Sequence, residues 1–93
     1  MTDREKELYQ LALNIGFYMT SVAQQRYYNT PESCVSYINS TVLQWKNEAT
    51  AFSEWRDACW LIINTIIDGL QPTDPVPTVD EIVAQLPVIV WPV

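Results

Sequence analysis

The longest apolar repeat in the sequence, residues 45–70, predicts a helix that has to be covered on several sides. Apolar side chains recur there every three or four residues, which places them on one face of an α-helix. The apolar face is narrow near Trp45 and wraps most of the helix between Trp60 and Ile67. A helix that is apolar nearly all round must pack against more than one neighbour. The repeat therefore predicts an all-α fold built around this segment.

A second long helix is predicted over residues 3–28. Thr2 and Glu5 have the spacing of a capping box, in which two side chains satisfy free amides at a helix start. Two stripes of apolar residues with helical spacing follow, one of them formed by Tyr9, Leu13 and Phe17. Gly16 lies inside this helix at a cost of about 1 kcal/mol relative to alanine, so we expect another backbone to approach closely there.

Proline and capping signals divide the rest of the chain. Pro31 ends the first helix and, with Thr30 as N-cap, begins a short one that reaches about residue 39. Thr41 and Gln44 form a second predicted capping box before the long repeat, and Gly69 is predicted to end that repeat in a left-handed conformation. The two long helices should form a hairpin over residues 3–70.

The last part of the chain reads as a linker, a short helix and an apolar tail. Residues 71–77 contain three prolines, which predicts a stiff, extended linker. Thr78 and Glu81 form a third capping box, for a short helix that Pro87 stops after about residue 86. Residues 88–93, the apolar tail, carry no charge. All 93 residues are expected to form one domain.

The charge distribution argues against nucleic-acid and membrane partners. The net charge is −6, and no lysine or arginine follows Arg56. Phosphate backbones and anionic lipids both require clustered cations. The apolar run at residues 58–67 is also shorter than the roughly 20 residues that span a bilayer. We expect a soluble protein whose acidic surface keeps it dispersed, with mimicry of DNA as the alternative interpretation of the charge.

The residues that usually perform catalysis or bind cofactors are missing or isolated. The chain has no histidine, the commonest general base and metal ligand. Cys34 and Cys59 have no ligand-spaced companions and suggest reduced thiols in a cytosol. Two glycines are too few for a phosphate-binding loop. We expect no enzyme activity, no cofactor and no metal.

Large apolar residues are the candidates for binding a protein partner. A chain of this size buries only about 60–65% of its unfolded surface, so some of its many aromatic residues should remain available. The stretch from Trp55 to Trp60 is either helix core or an interface anchor, because Trp and Arg are enriched at interface hot spots. The apolar tail either folds back onto the long helix or adds a strand to the sheet of a partner. The candidate partner-binding residues are Trp45, Phe52, Trp55, Arg56, Trp60, Val88, Val90 and Trp91.

A motif in two halves resembles a pattern found in a family of tailed-phage proteins. The first half is W-R-D-A-x-W at residues 55–60, and the second is L-P-x-x-x-W-P at residues 86–92. With Arg26-Tyr27, Tyr37, Glu48, Phe52 and residues 77–82, this pattern is similar to phage tail-fibre assembly chaperones and small tail-fibre-associated modules over about residues 12–92.

The resemblance implies a chaperone that acts without ATP. Its partner would be the C-terminal, receptor-binding region of a trimeric tail-fibre protein, bound in the host cytoplasm during infection. The chaperone would then be absent from the mature virion. A structural component of the fibre or baseplate is the alternative, and an acidic inhibitor of a host nucleic-acid-binding protein is a third. The spare apolar surface also makes a homodimer an open possibility.

Overall fold

The computed structural model describes all 93 residues and confirms the all-α prediction. Two long helices and two short ones are present, and no strand is formed. The four helices are α1 (Asp3–Gln24), α2 (Pro31–Val35), α3 (Leu43–Asp68) and α4 (Val79–Val83).

Helices α1 and α3 form the predicted antiparallel hairpin. Near the middle of α1, the Tyr18 ring lies 6.0 Å from that of Trp55. Just beyond the end of α1, Arg26 contacts Glu48 in the early part of α3 at 3.0 Å. The molecule is accordingly elongated, with a longest dimension of 49 Å. This shape leaves much of each helix close to solvent.

Helix α1 begins where predicted but ends earlier. Thr2 and Glu5 form the complete capping box. The helix stops at Gln24 because Tyr27 adopts a left-handed conformation with φ of 68°. The Tyr27 and Tyr28 amides donate to the carbonyls of Gln24 and Ala23, the pattern of a Schellman motif. This position usually carries glycine, so a tyrosine there gave no sequence signal.

The starts of α2 and α3 show one correct and one wrong prediction. Thr30 caps α2 by accepting a hydrogen bond from the Ser33 amide, and Pro31 opens the helix as expected. The capping box predicted at Thr41 and Gln44 is wrong, because the N-cap of α3 is Val42, which has no capping side chain. Helix α2 is also shorter than predicted, since residues 36–39 form turns.

Both glycines differ from their predicted roles. Gly69 ends α3 with φ of −80° and ψ of −9°, an ordinary right-handed conformation rather than a left-handed cap. Gly16 contacts no other backbone, because a Cβ built on it would meet nothing within 4 Å. The prediction of a close helix approach at Gly16 is therefore wrong.

The linker and α4 return the chain to α1. The first part of the linker is a turn, in which the Gln71 amide donates to the Asp74 carboxylate at 2.8 Å, so this part is not extended as predicted. The Arg4 side chain of α1 donates to the main-chain carbonyl of Asp74 at 2.6 Å and to that of Gln71 at 2.9 Å. The side chain of Thr78 then caps α4. Helix α4 contributes Ile82, which is fully buried, to the core.

The core is a single cluster along the hairpin. It combines one face of α1, one face of α3, Cys34 of α2 and the segment around α4. Its members are Leu11, Ile15, Met19, Val22, Ala23, Cys34, Phe52, Trp55, Cys59, Ile63, Ile82 and Leu86.

Candidate partner-binding surface

The structure places Phe52 and Trp55 in the core rather than on the surface. Phe52 is fully buried and Trp55 is 6% exposed, with their rings 5.4 Å apart. The indole N–H of Trp55 donates to the Pro87 carbonyl at 2.8 Å. Both residues therefore hold α3 to the segment after α4. A partner would reach them only if the fold opened.

Trp91 packs against the protein's own surface as well. Its ring stacks on Phe52 at 6.1 Å, and the Arg26 guanidinium lies 5.4 Å from the ring centre. The indole N–H donates to the Gln25 side chain at 3.1 Å. Of the two expectations for the apolar tail, the contacts of Trp91 therefore match the one in which it folds back.

Val88 and Val90 face away from the protein. They are 86% and 85% exposed, whereas Ile89 between them packs against the core. The apolar tail thus has two faces, one that covers the hairpin and one that is open to solvent. The open face is apolar and β-branched, the composition that is enriched in paired strands.

A buried polar network lies beneath the tail, where α1 ends. Glu48 is only 4% exposed, and its two carboxylate oxygens accept from Arg26 at 3.0 Å and from the Tyr28 hydroxyl at 2.7 Å. Arg26 also donates to the Pro92 carbonyl at 3.1 Å. Burial raises the pKa of Tyr28 far above its usual value, and the hydrogen bond to Glu48 adds to the rise. This network joins α1, α3 and the apolar tail.

An aromatic cleft of about 550 Å³ opens beside this network. The Tyr28 and Tyr37 rings are 5.8 Å apart, and the Tyr37 and Trp45 rings are 5.5 Å apart. Trp45 is 45% exposed, and Tyr27 stands at the cleft with 95% of its surface open. Tyrosine and tryptophan provide large contact areas with few rotatable bonds, which suits them to recognition.

The three tyrosines at the cleft differ in how far they pack. The sequence favours packing for Tyr27, Tyr28 and Tyr37, and the exposure of Tyr27 contradicts packing for that residue. The only available signal was the run of adjacent aromatic residues, because the backbone conformation that turns Tyr27 outward has no sequence signature.

Arg56 and Trp60 line a separate groove between α1 and α3. Both are half-buried, and the groove of about 350 Å³ also includes Leu13, Gly16 and Phe17. Arg56 forms an ion pair with the neighbouring Asp57 at 3.3 Å. Because the pair is exposed, it adds little to stability. The groove does not connect the candidate residues of α3 with those of the apolar tail.

The interior also holds two titratable thiols. Cys34 and Cys59 are free and buried, and burial raises the pKa of Cys34 to about 11. Burial also raises the pKa of Cys59. Thiols with raised pKa values are poor nucleophiles, because the thiolate is the reactive form. No group of three acidic or cysteine side chains is arranged to hold a metal ion.

Apolar surface is the most pronounced property of the exterior. Fourteen large apolar or aromatic residues are exposed, whereas nine residues of this kind are buried. On α1, Tyr9, Leu13 and Phe17 form an exposed stripe along one side of the helix. None of the four helices combines the length and apolar content that a membrane crossing requires. Comparison with protein-family models, with curated proteins and with solved structures finds no match for this chain.

Proposed function

We propose that this chain binds a phage tail-fibre protein and assists its folding and trimeric assembly without ATP. The observation that carries the proposal is the excess of exposed over buried large apolar residues, fourteen against nine. Small domains gain little from apolar residues that remain in water, and large exposed apolar patches are typical of binding surfaces. The net charge of −6 would keep such a surface dispersed before the partner arrives.

The two halves of the phage-like motif meet in the fold. Trp55 of the first half donates to the carbonyl of Pro87 in the second, and Trp91 stacks on Phe52 three residues before Trp55. The motif residues thus form one packed unit that positions the surfaces around it. Partner contact then falls to exposed residues at its edge, among them Trp45, Val88 and Val90.

The chemistry of the tail-fibre protein, the proposed client, explains why an exposed apolar surface is useful. Fibre tips rich in β-structure expose apolar surface and unpaired strand edges until three chains meet, and folding is slow when contacts are far apart in sequence. A small acidic partner can cover that surface in the host cytoplasm. Trimer formation then displaces the chaperone by mass action, so no nucleotide is required.

Co-expression with the tail-fibre protein of the same phage tests the proposal. The fibre is produced alone, with the wild-type chain, with Trp45→Ser, and with Leu61→Ser as a matched control for loss of an exposed apolar residue on α3. We expect soluble fibre trimer with the wild type and with Leu61→Ser, and less of it with Trp45→Ser or without the chain. Equal amounts of soluble trimer in the absence of the chain would contradict the proposal.

Purified phage particles separate the chaperone from a structural component. A chaperone released on trimerisation should be scarce in mature virions when they are examined by mass spectrometry. A fixed ratio of this chain to the fibre in the particles would instead support a role as a fibre or baseplate part.

A further inference from the structure

The apolar tail is anchored at both ends and on one face. The Trp55 indole donates to the Pro87 carbonyl at 2.8 Å, and Arg26 donates to the Pro92 carbonyl at 3.1 Å. Between these anchors, Ile89 and Trp91 pack against the core. The segment is therefore held in place on the hairpin before any partner is present.

Main-chain groups within this anchored segment have no partner in the chain. The amides and carbonyls of residues 88–91 make no hydrogen bond with any other part of the protein. Val88 and Val90 are exposed as whole residues, main chain included, at 86% and 85%. Alternation of exposed and packed residues is the pattern of a β-strand that lies on a core. Prolines at 87 and 92 lack an amide hydrogen, so they limit the segment that can pair.

We propose that residues 88–91 form a strand edge that pairs with one β-strand of the client, an inference that rests on the proposed function. Val88 and Val90 would donate from their amides and accept at their carbonyls, as in the addition of a strand to a sheet. No ionised side chain occurs in residues 82–93. Arg26, which reaches the tail at Pro92, is already paired with Glu48. A client strand with charges opposite Val88 and Val90 would therefore lose hydration without gaining a free counter-charge. The occupant is therefore an uncharged strand, rich in Val, Ile or Thr.

The size of the edge favours a transient client over a second copy of this chain. Pairing through four residues buries on the order of 500 Å² in total, well below the roughly 1,200 Å² of a stable protein interface. Two copies joined only by their tails would separate at ordinary concentrations. A folding fibre needs a contact that holds briefly and is then displaced, and a short edge supplies that.

A cyclised β-hairpin peptide with the outer strand Thr-Val-Thr-Val serves as the probe. Titration of the isotope-labelled protein, followed by NMR and amide exchange, should show that the amides of Val88 and Val90 become protected. Proline at position 90 removes one donor while leaving the apolar character, so Val90→Pro should bind the peptide about fivefold to tenfold more weakly. Val90→Thr keeps the amide, and its affinity for the peptide should lie within about twofold of that of the wild type. Both variants should melt at the wild-type temperature, because Val90 is exposed and its amide is unpaired.

The outcomes separate this inference from the proposed function. Protection of the Val88 and Val90 amides in the wild type, together with the fivefold to tenfold weaker peptide binding of Val90→Pro, would support the strand edge, whatever happens in fibre co-expression. Absence of binding, wild-type binding by Val90→Pro, or protection confined to another surface would overturn the strand edge. If the amount of soluble fibre trimer still depends on this chain in that case, the chaperone proposal is retained and the contact surface is a different one.

Discussion

Replacing Arg26 with methionine tests whether the polar network beneath the apolar tail holds the fold together. Glu48 is buried, and Arg26 is the only cation that contacts it. Methionine keeps the aliphatic part of the side chain and removes the guanidinium. The carboxylate of Glu48 would then retain one neutral donor, the Tyr28 hydroxyl at 2.7 Å. Arg26→Met should therefore destabilise the protein strongly.

The magnitude follows from the exposure of the two partners. Removing one partner of a buried ion pair costs about 3–5 kcal/mol. The low end applies here because the Arg26 side chain is 33% exposed, so water can reach the site. The lost hydrogen bond to the Pro92 carbonyl adds about 1 kcal/mol. The reverse change, Glu48→Gln, keeps the side-chain volume and leaves a guanidinium that water can solvate, so it should cost only about 1 kcal/mol. At about 0.05–0.15 kcal/mol per residue, the whole domain has only about 5–14 kcal/mol of stability.

Urea unfolding followed by tryptophan fluorescence measures both losses. With a slope of about 1.5 kcal/mol per molar urea, the total loss of about 4 kcal/mol should lower the midpoint by about 2.7 M for Arg26→Met, and the loss for Glu48→Gln should lower it by less than about 1 M. The double variant should cost about 1–2 kcal/mol less than the sum of the two single changes, because the partners interact. The reasoning fails if Arg26→Met costs less than Glu48→Gln, or if the two losses simply add.

Local features of the fold allow three further predictions. Gly16→Ala should raise the free energy of unfolding by about 0.5–1 kcal/mol, because the added methyl meets nothing within 4 Å; a lower melting temperature would show a collision. Tyr27→Gly should raise the free energy of unfolding by about 1 kcal/mol, because glycine adopts the left-handed conformation without strain. An unchanged free energy of unfolding in urea would count against strain at that site. The pKa of Cys34 rises from 9.0 to about 11 on folding, so its contribution to stability is complete below pH 9 and declines as the pH approaches 11, by up to about 1.4 kcal/mol per pH unit. Cys34→Ala should flatten this decline in a pH series of unfolding experiments, and an unchanged slope would exclude Cys34 as its source.

Helix positions were predictable where the signal is local. The capping box at Thr2 and Glu5, the cap at Thr30 and the apolar repeat of α3 all depend on residues within a few positions of one another. Such patterns report the backbone directly, and the hairpin follows once two long amphipathic helices are joined by a connection that turns the chain back, here residues 25–42 with α2. The capping box at Thr41 failed because the chain places Val42, not Thr41, at the N-cap of α3.

The interior network was not predictable because its parts are far apart in sequence. Glu48 lies between Trp45 and Phe52 on an otherwise apolar helix face, which is the one sequence hint that it needs a partner. That partner, Arg26, is 22 positions away, just beyond the end of α1 and next to the left-handed residue Tyr27. The two faces of the apolar tail could not be read from its composition either, since Val88, Ile89 and Val90 are chemically alike.

Burial of the motif residues changes what a resemblance at those positions can indicate. Phe52 contacts both Trp55 and Trp91, so a match at these residues primarily reflects the packing that joins α3 to the apolar tail. Under the proposed function, the choice of fibre would come from side chains that can change without unfolding the domain, such as Trp45 at the aromatic cleft and Val88 and Val90 on the tail. Exchanging those exposed residues between two chains that share the motif should transfer fibre preference, whereas exchanging the buried ones should alter stability alone.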